Sequence, residues 1–323
     1  MELKNKTRLI TGIGHFIGQR TAEMALERGM NVRGLEKSPE AARKLESCGV
    51  DIIIGHTRDS QALERACENV DIVFHTESVF EASGDVEYFR EVNVDGTINT
   101  VKIAKQSNVK SFIHLSSVLV YGFNYPDQIT EDGPLRGENN PFCQTKIDSE
   151  SEVLKFNHPP EFGVIVIRAG DIYGPGSDAW VTRPLKLMQQ KKFVLINGGS
   201  GYINHVYIDN LVDGIFLALE KEAYGEAFNI TDGCQTTWKD YYLKLADIGG
   251  MAKPISMPAF LVKKAAHFQS NISPAAIDFT TRPHTYSTCK AQKNLGYFPQ
   301  INLEEGMKRT KNWLKSNELC CDT

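Results

Sequence analysis

Thr11-Gly12-Ile13-Gly14-His15-Phe16-Ile17-Gly18 stands between a short apolar run, Arg8–Thr11, and a stretch with helical spacing. Glycines there allow a tight turn and a close backbone approach, and the first amides of the helix point outward without internal partners. A turn in that setting is built to cradle a pyrophosphate. The competing reading is a strand-to-helix turn that binds nothing. The flanking elements argue against it, because they satisfy the setting that the glycine pattern requires.

The rest of the first half keeps the same rhythm. Ile-, Val- and Phe-rich runs too short for helices predict strands at Arg8–Thr11, Asn31–Leu35, Asp51–Ile54, Asp71–Phe74, Ser111–Leu115 and Val164–Ile167. Helix-length stretches separate them, the clearest being Glu87–Gln106, where Val94, Ile98, Val101 and Ala104 recur at helical spacing. Alternation of this kind predicts an α/β fold with a doubly wound parallel (Rossmann) sheet. After Tyr173-Gly174-Pro175-Gly176 the rhythm breaks into loops and short elements, which predicts a smaller C-terminal substrate lobe. The expected division is 1–173 for the nucleotide, with a returning segment at about 206–230, and 174–205 plus 231–323 for the substrate.

With 323 residues, 41% hydrophobic, the chain is able to bury a large core. A net charge of −4 offers no basic field, so neither nucleic acid nor a membrane surface is the expected partner. The N-terminus carries no long apolar leader, and the expectation is a cytoplasmic protein. Seven scattered cysteines without C-x-x-C spacing predict reduced thiols, and no histidine pair has the spacing of a helical metal site. Cys320-Cys321-Asp322-Thr323 fits a prenylation box poorly because of Asp322.

Further marks extend the pattern: Asn93-Val94-Asp95-Gly96-Thr97, Ser116-Ser117-Val118-Leu119-Val120-Tyr121-Gly122, Phe142-Cys143-Gln144-Thr145-Lys146, Arg168, and Val206-Tyr207-Ile208-Asp209-Asn210. Together with the glycine turn, these resemble the extended short-chain dehydrogenase/reductases, which include the NAD-dependent epimerases and dehydratases. Thr281-Arg282-Pro283, Lys290-Ala291 and Leu295-Gly296-Tyr297-x-Pro299 look most like the 3β-hydroxysteroid dehydrogenase and dihydroflavonol reductase branch. The resemblance implies a homodimer through the helices holding Val94–Ala104 and Phe142–Phe156. It also implies a cofactor site formed by Gly12, Gly14, His15, Phe16, Ile17, Gly18, Glu36, Lys37, His56, Thr76, Lys146 and Arg168. His15 replaces the middle glycine, and His56 stands where relatives carry an aspartate near the adenine.

Glu36 closes the second strand, where a carboxylate accepts from the adenosine ribose and repels a 2′-phosphate, favouring NAD. Arg33, Lys37 and Lys44 pull toward NADP, and the acid outweighs them.

In the resembled family a tyrosine exchanges the hydroxyl proton while hydride moves to or from the nicotinamide. A lysine four residues on lowers the tyrosine pKa and holds the nicotinamide ribose, and a serine holds the substrate oxygen. Ser117 and Lys146 match the serine and the lysine, but the tyrosine position is Phe142, which has no proton to give. Three readings stay open: an engineered replacement in a redox enzyme, a divergent enzyme with another donor (Tyr121, His205, Ser117 or water), or a silent NAD-binding regulator. A small, mainly apolar alcohol or ketone is expected over a nucleotide sugar. No dense arginine clamp is visible, and Met257–Val262 with Ala265, Ala266 and Phe268 suggests an apolar helix lining a pocket.

Overall fold

The computed structural model describes residues 2–80, 86–137, 140–262 and 274–317. The six predicted strands form β1 (Thr7–Thr11), β2 (Asn31–Glu36), β3 (Asp51–Ile54), β4 (Ile72–His75), β5 (Ser111–Ser117) and β6 (Gly163–Ala169). A later strand, Ala227–Ile230, returns beside β6 and brings the parallel sheet to seven strands. From that edge the order runs β6, β5, β4, β1, β2, β3. The chain therefore builds outward from β1 to β3 and then jumps back to β4 on the other side of β1. That reversal opens a crevice at the carboxyl ends of β1 and β4, which is where such sheets bind ligands.

Period-two alternation sorts the strand residues into two cores. Ile10, Phe74, Ile113 and Ile165 face one layer of helices, and Leu9, Val73, Phe112 and Val164 face the other. The first of these cores runs without a break into Trp238, Tyr241, Leu245 and Leu314 of the C-terminal half. Arg8 is buried in it, its guanidinium without a hydrogen-bond partner among the described residues and 4.9 Å from the ring centroids of both Phe74 and Phe216. Burial pushes its pKa down to about 9, with Arg28 adding repulsion.

The helix α1 (Phe16–Glu27) opens from the glycine turn as the sequence predicts. The stretch predicted as one helix from Glu87 is instead Val86–Arg90, a π turn over Glu91–Asp95, and then Gly96–Gln106. Asn93 lies in that turn, accepting from Val79 N–H and donating to the Val79 carbonyl and to Thr145 Oγ1.

Past β6 the strands are short. Asp171–Tyr173 pairs with His205–Tyr207, Val194–Ile196 with Ile255–Met257, and Tyr202–Ile203 with Thr236–Thr237. Met257 thus belongs to a strand, and Phe260, 69% exposed, faces solvent rather than an apolar pocket. Ala265, Ala266, Phe268 and the Cys320–Thr323 tail lie outside the described residues. Among the described residues no helix is long and apolar enough to cross a membrane.

Candidate active site

A cleft of about 1100 Å³ opens at the carboxyl ends of the central strands. Gly14, His15, Phe16 and Ile17 line it from the β1 turn, and Thr76 and Ser78 from the loop after β4. Ser116, Ser117 and Leu119 line it from the end of β5. Phe142 and Lys146 come from the helix Pro141–Leu154.

The turn has the shape that a pyrophosphate requires. Gly12 has φ +68°, a conformation that L side chains rarely adopt. A methyl group on Gly18 would stand 2.5 Å from the Gly12 carbonyl and 2.7 Å from Ile13 Cα, so only glycine lets α1 pack this close to β1. His15 is the N-cap of α1, its side chain makes no capping bond, and the first turn carries no acid. The leading amides of the helix are left facing the cleft, where the dipole favours an anion. Glu36 lies beneath, its two oxygens accepting from Gly14 N–H and Ser38 N–H, each at 2.9 Å. Of the cations that argued for NADP, Arg33 binds Asp51 and Lys44 binds Glu40, while Lys37 is exposed.

Asn140 caps the helix that holds Phe142, accepting from Phe142 N–H and Cys143 N–H, and Pro141 supplies the first turn. Phe142 packs with Phe89, Leu119 and Cys143, and Phe80 meets its ring edge to face at 4.9 Å. One helical turn on, Lys146 donates to the Leu115 carbonyl at 2.8 Å, its Nζ 5.8 Å from the Phe142 ring centroid. Burial pushes the Lys146 pKa down to about 8, against the opposing pull of Glu150. Behind it, His75 and His114 stack at 5.7 Å. His75 bridges Thr11 and Thr97, and burial, with Lys146 adding to it, holds its pKa down at about 3. His114 reaches Ser149 and is likewise held well below the ordinary imidazole value by burial and by Lys146.

The residues 8–231 match the family model described as the NAD dependent epimerase/dehydratase family. The chain belongs to that family. A ketoreductase of 4-hydroxy-2-methyl-3-oxo-4-farnesyl-3,4-dihydroquinoline-1-oxide from Stigmatella aurantiaca is 26% identical over 92% of this chain and 93% of its own. A 2-alkyl-3-oxoalkanoate reductase from Stenotrophomonas maltophilia is 28% identical over 94% and 98%. The UDP-glucuronic acid 4-epimerase from Bacillus cereus, solved with NAD, shares the fold with a TM-score of 0.79, 21% identity and coverage of 96% and 99%.

For a member of this NAD-dependent family, the cleft has the expected plan with local departures. The cradle at Gly12, Gly14 and Gly18 and the bare helix N-terminus fit the dinucleotide's pyrophosphate, and Glu36 fits NAD over NADP. His56, by contrast, is exposed past the end of β3, its Nδ1 accepting from Arg58 N–H, and it is not on the cleft wall. Arg168 does not reach the cofactor site. Its guanidinium is buried against the Glu150 carboxylate, the Tyr121 hydroxyl and the Glu131 carbonyl. The same network removes Tyr121 as a proton donor, since its hydroxyl donates to Asn229 and is shielded from the cleft. His205 is also elsewhere, clamped between Asp232 and Thr236. Ser117 does face the cleft, its Oγ accepting from Leu119 N–H. Sequence reasoning passed over Ser116, whose buried Oγ on the cleft wall has no partner among the described residues. The doubled serine at the end of β5 was its signal.

Proposed function

We propose that this family member is an NAD-dependent reductase, or in reverse a dehydrogenase, of a small, mainly apolar ketone or alcohol. When bound, NAD supplies the hydride donor or acceptor. Ser117 would orient the substrate oxygen, Lys146 would hold the nicotinamide ribose, and Phe142 would form the apolar wall over the reacting carbon.

The observation that carries the substrate class is the state of the arginines on the cleft wall. Arg20 is held by Asp209 at 2.7 Å, Arg183 by Asp178 at 2.7 Å, and Arg309 by Glu305 at 2.9 Å. A diphosphate would have to break these pairs, whereas an apolar ketone leaves them in place. Leu119, Phe142, Phe80, Ile172 and Trp180 supply apolar wall, and Trp180 is backed by Trp238 and Phe279. The two relatives are, by their names, reductases of oxo compounds that carry a farnesyl or an alkyl group, which favours an apolar ketone over a nucleotide sugar.

The test is a panel of alkyl and aryl ketones against UDP-sugars, with turnover read by nicotinamide absorbance in the presence of NADH and binding read by calorimetry on the nucleotide-loaded protein. Apolar ketones should bind and turn over, and UDP-glucose should do neither. Tight UDP-sugar binding would overturn the reductase reading in favour of an epimerase.

A further inference from the structure

Ketone reduction needs a proton for the developing alkoxide, and Phe142 has none. Tyr121 and His205 are committed to buried networks away from the cleft. Where the loop after β4, the end of β5 and the Phe142 helix line the cleft, the described wall residues are Thr76, Ser78, Phe80, Leu115, Ser116, Ser117, Leu119, Phe142 and Lys146. Among them only Lys146 is ionisable. An ammonium has three hydrogens. Leu115 takes one of these, and the group lies 5.8 Å from the Phe142 ring centroid on the same cleft wall.

We infer that Lys146 is itself the general acid–base of this protein, its ammonium passing a proton to the carbonyl oxygen directly or through one water. The inference rests on the reductase reading above. In the step, the carbonyl carbon takes a hydride, and with it both electrons, from reduced nicotinamide. The C=O π pair moves to oxygen and forms the O–H bond with the Lys146 proton. Lys146 is left as a neutral amine and regains a proton from solvent through the cleft, so alcohol and oxidised nicotinamide are the products.

The surroundings favour this role from each side. His75 on β4 and His114 on β5 stay uncharged at neutral pH behind the amine. Glu150 on the lysine's own helix is bound by Arg168 of β6 at 2.8 Å, and its pull toward the charged form only partly offsets burial. With its pKa pushed down to about 8, Lys146 gives and retakes a proton far more readily near neutral pH than an ordinary lysine.

The experiment combines Lys146→Arg with Phe142→Tyr in a double-mutant cycle, and follows Lys146 by NMR of ε-13C-labelled lysine without nucleotide. The native reduction rate should fall as pH rises through about 8. Lys146→Arg should lower it by ~10²-fold or more. NAD affinity, read by calorimetry, should change far less. In the Phe142→Tyr background a phenol donates instead, and the same substitution should cost much less. Equal losses in both backgrounds, or a Lys146 titration at the ordinary lysine value, would overturn the role of Lys146 alone. If no variant turns over any ketone, the reductase reading fails and this role fails with it.

Discussion

The two ends of the cleft are built from different material. At the glycine turn the site is backbone: amide groups, a positive φ at Gly12 and the close approach of α1 at Gly18. At the Phe142 end it is side chains: Ser117, Lys146 and a phenyl ring. A backbone site leaves room for a side chain such as His15, which sits exposed at the rim and makes no capping bond to the amides. A side-chain site changes its chemistry with the loss of one hydroxyl.

The sharpest way to break that contrast is to damage the backbone itself. Gly18→Ala would drive a methyl into backbone atoms of Gly12 and Ile13 that have no room to yield. We expect nucleotide binding to be lost and stability to fall by about 1–3 kcal/mol, the usual range for overpacking. Gly14→Ala meets only the movable Glu36 carboxylate, 2.2 Å from the added methyl, so the fold should survive with weakened NAD binding. Calorimetry and thermal melts separate the two. Similar losses in both variants would show that the turn is less backbone-determined than the geometry requires.

The side-chain end rests on buried, uncharged histidines, and acid should expose this. The folded-state pKa values of His75 and His114 lie below the ordinary 6.5. As pH falls below 6.5 the unfolded chain takes up protons first. Their contribution to stability is therefore complete above 6.5 and declines below it, for His75 down to about 3. Each histidine should add up to ~1.4 kcal/mol per pH unit to that decline. His75→Asn should flatten the slope of stability against pH, measured by denaturant unfolding. An unchanged slope would mean that the imidazole is accessible to protons in the fold.

Two further effects concern the nucleotide end. Glu36→Ala should weaken NAD binding by ~1.5–3 kcal/mol, the contribution of a hydrogen bond to a charged group, and narrow the preference over NADP. Equal affinities in the native protein would contradict the role of Glu36. His15→Gly should tighten NAD binding by no more than ~0.5–1.5 kcal/mol. Weaker binding would show that the imidazole donates to the cofactor.

The same contrast explains what was legible in the sequence. Backbone constraints leave residue-type marks at fixed spacing, so the glycine turn and the strands could be read before any coordinates. Arg168 and Tyr121 could not, because a buried ion pair and a ligand contact use the same residue types. Only the register of β6 against the Phe142 helix shows that Glu150 takes the guanidinium. The π turn at Asn93 was invisible because apolar spacing continues through it. The C-terminal pairings are strands of two or three residues joined across long separations, too short for any periodicity to show.

Phe142→Tyr is the most direct test of the claim that the chemistry end lacks one hydroxyl and little else. Lys146 lies one helical turn away and Ser117 on the facing strand end, as a phenol at 142 would need. With saturating NADH and an apolar ketone panel, nicotinamide absorbance should show faster reduction than in the native protein, because a phenol takes over the proton transfer from Lys146. A tyrosine variant that binds NAD and ketone as the native protein does, yet reduces no faster, would contradict the account.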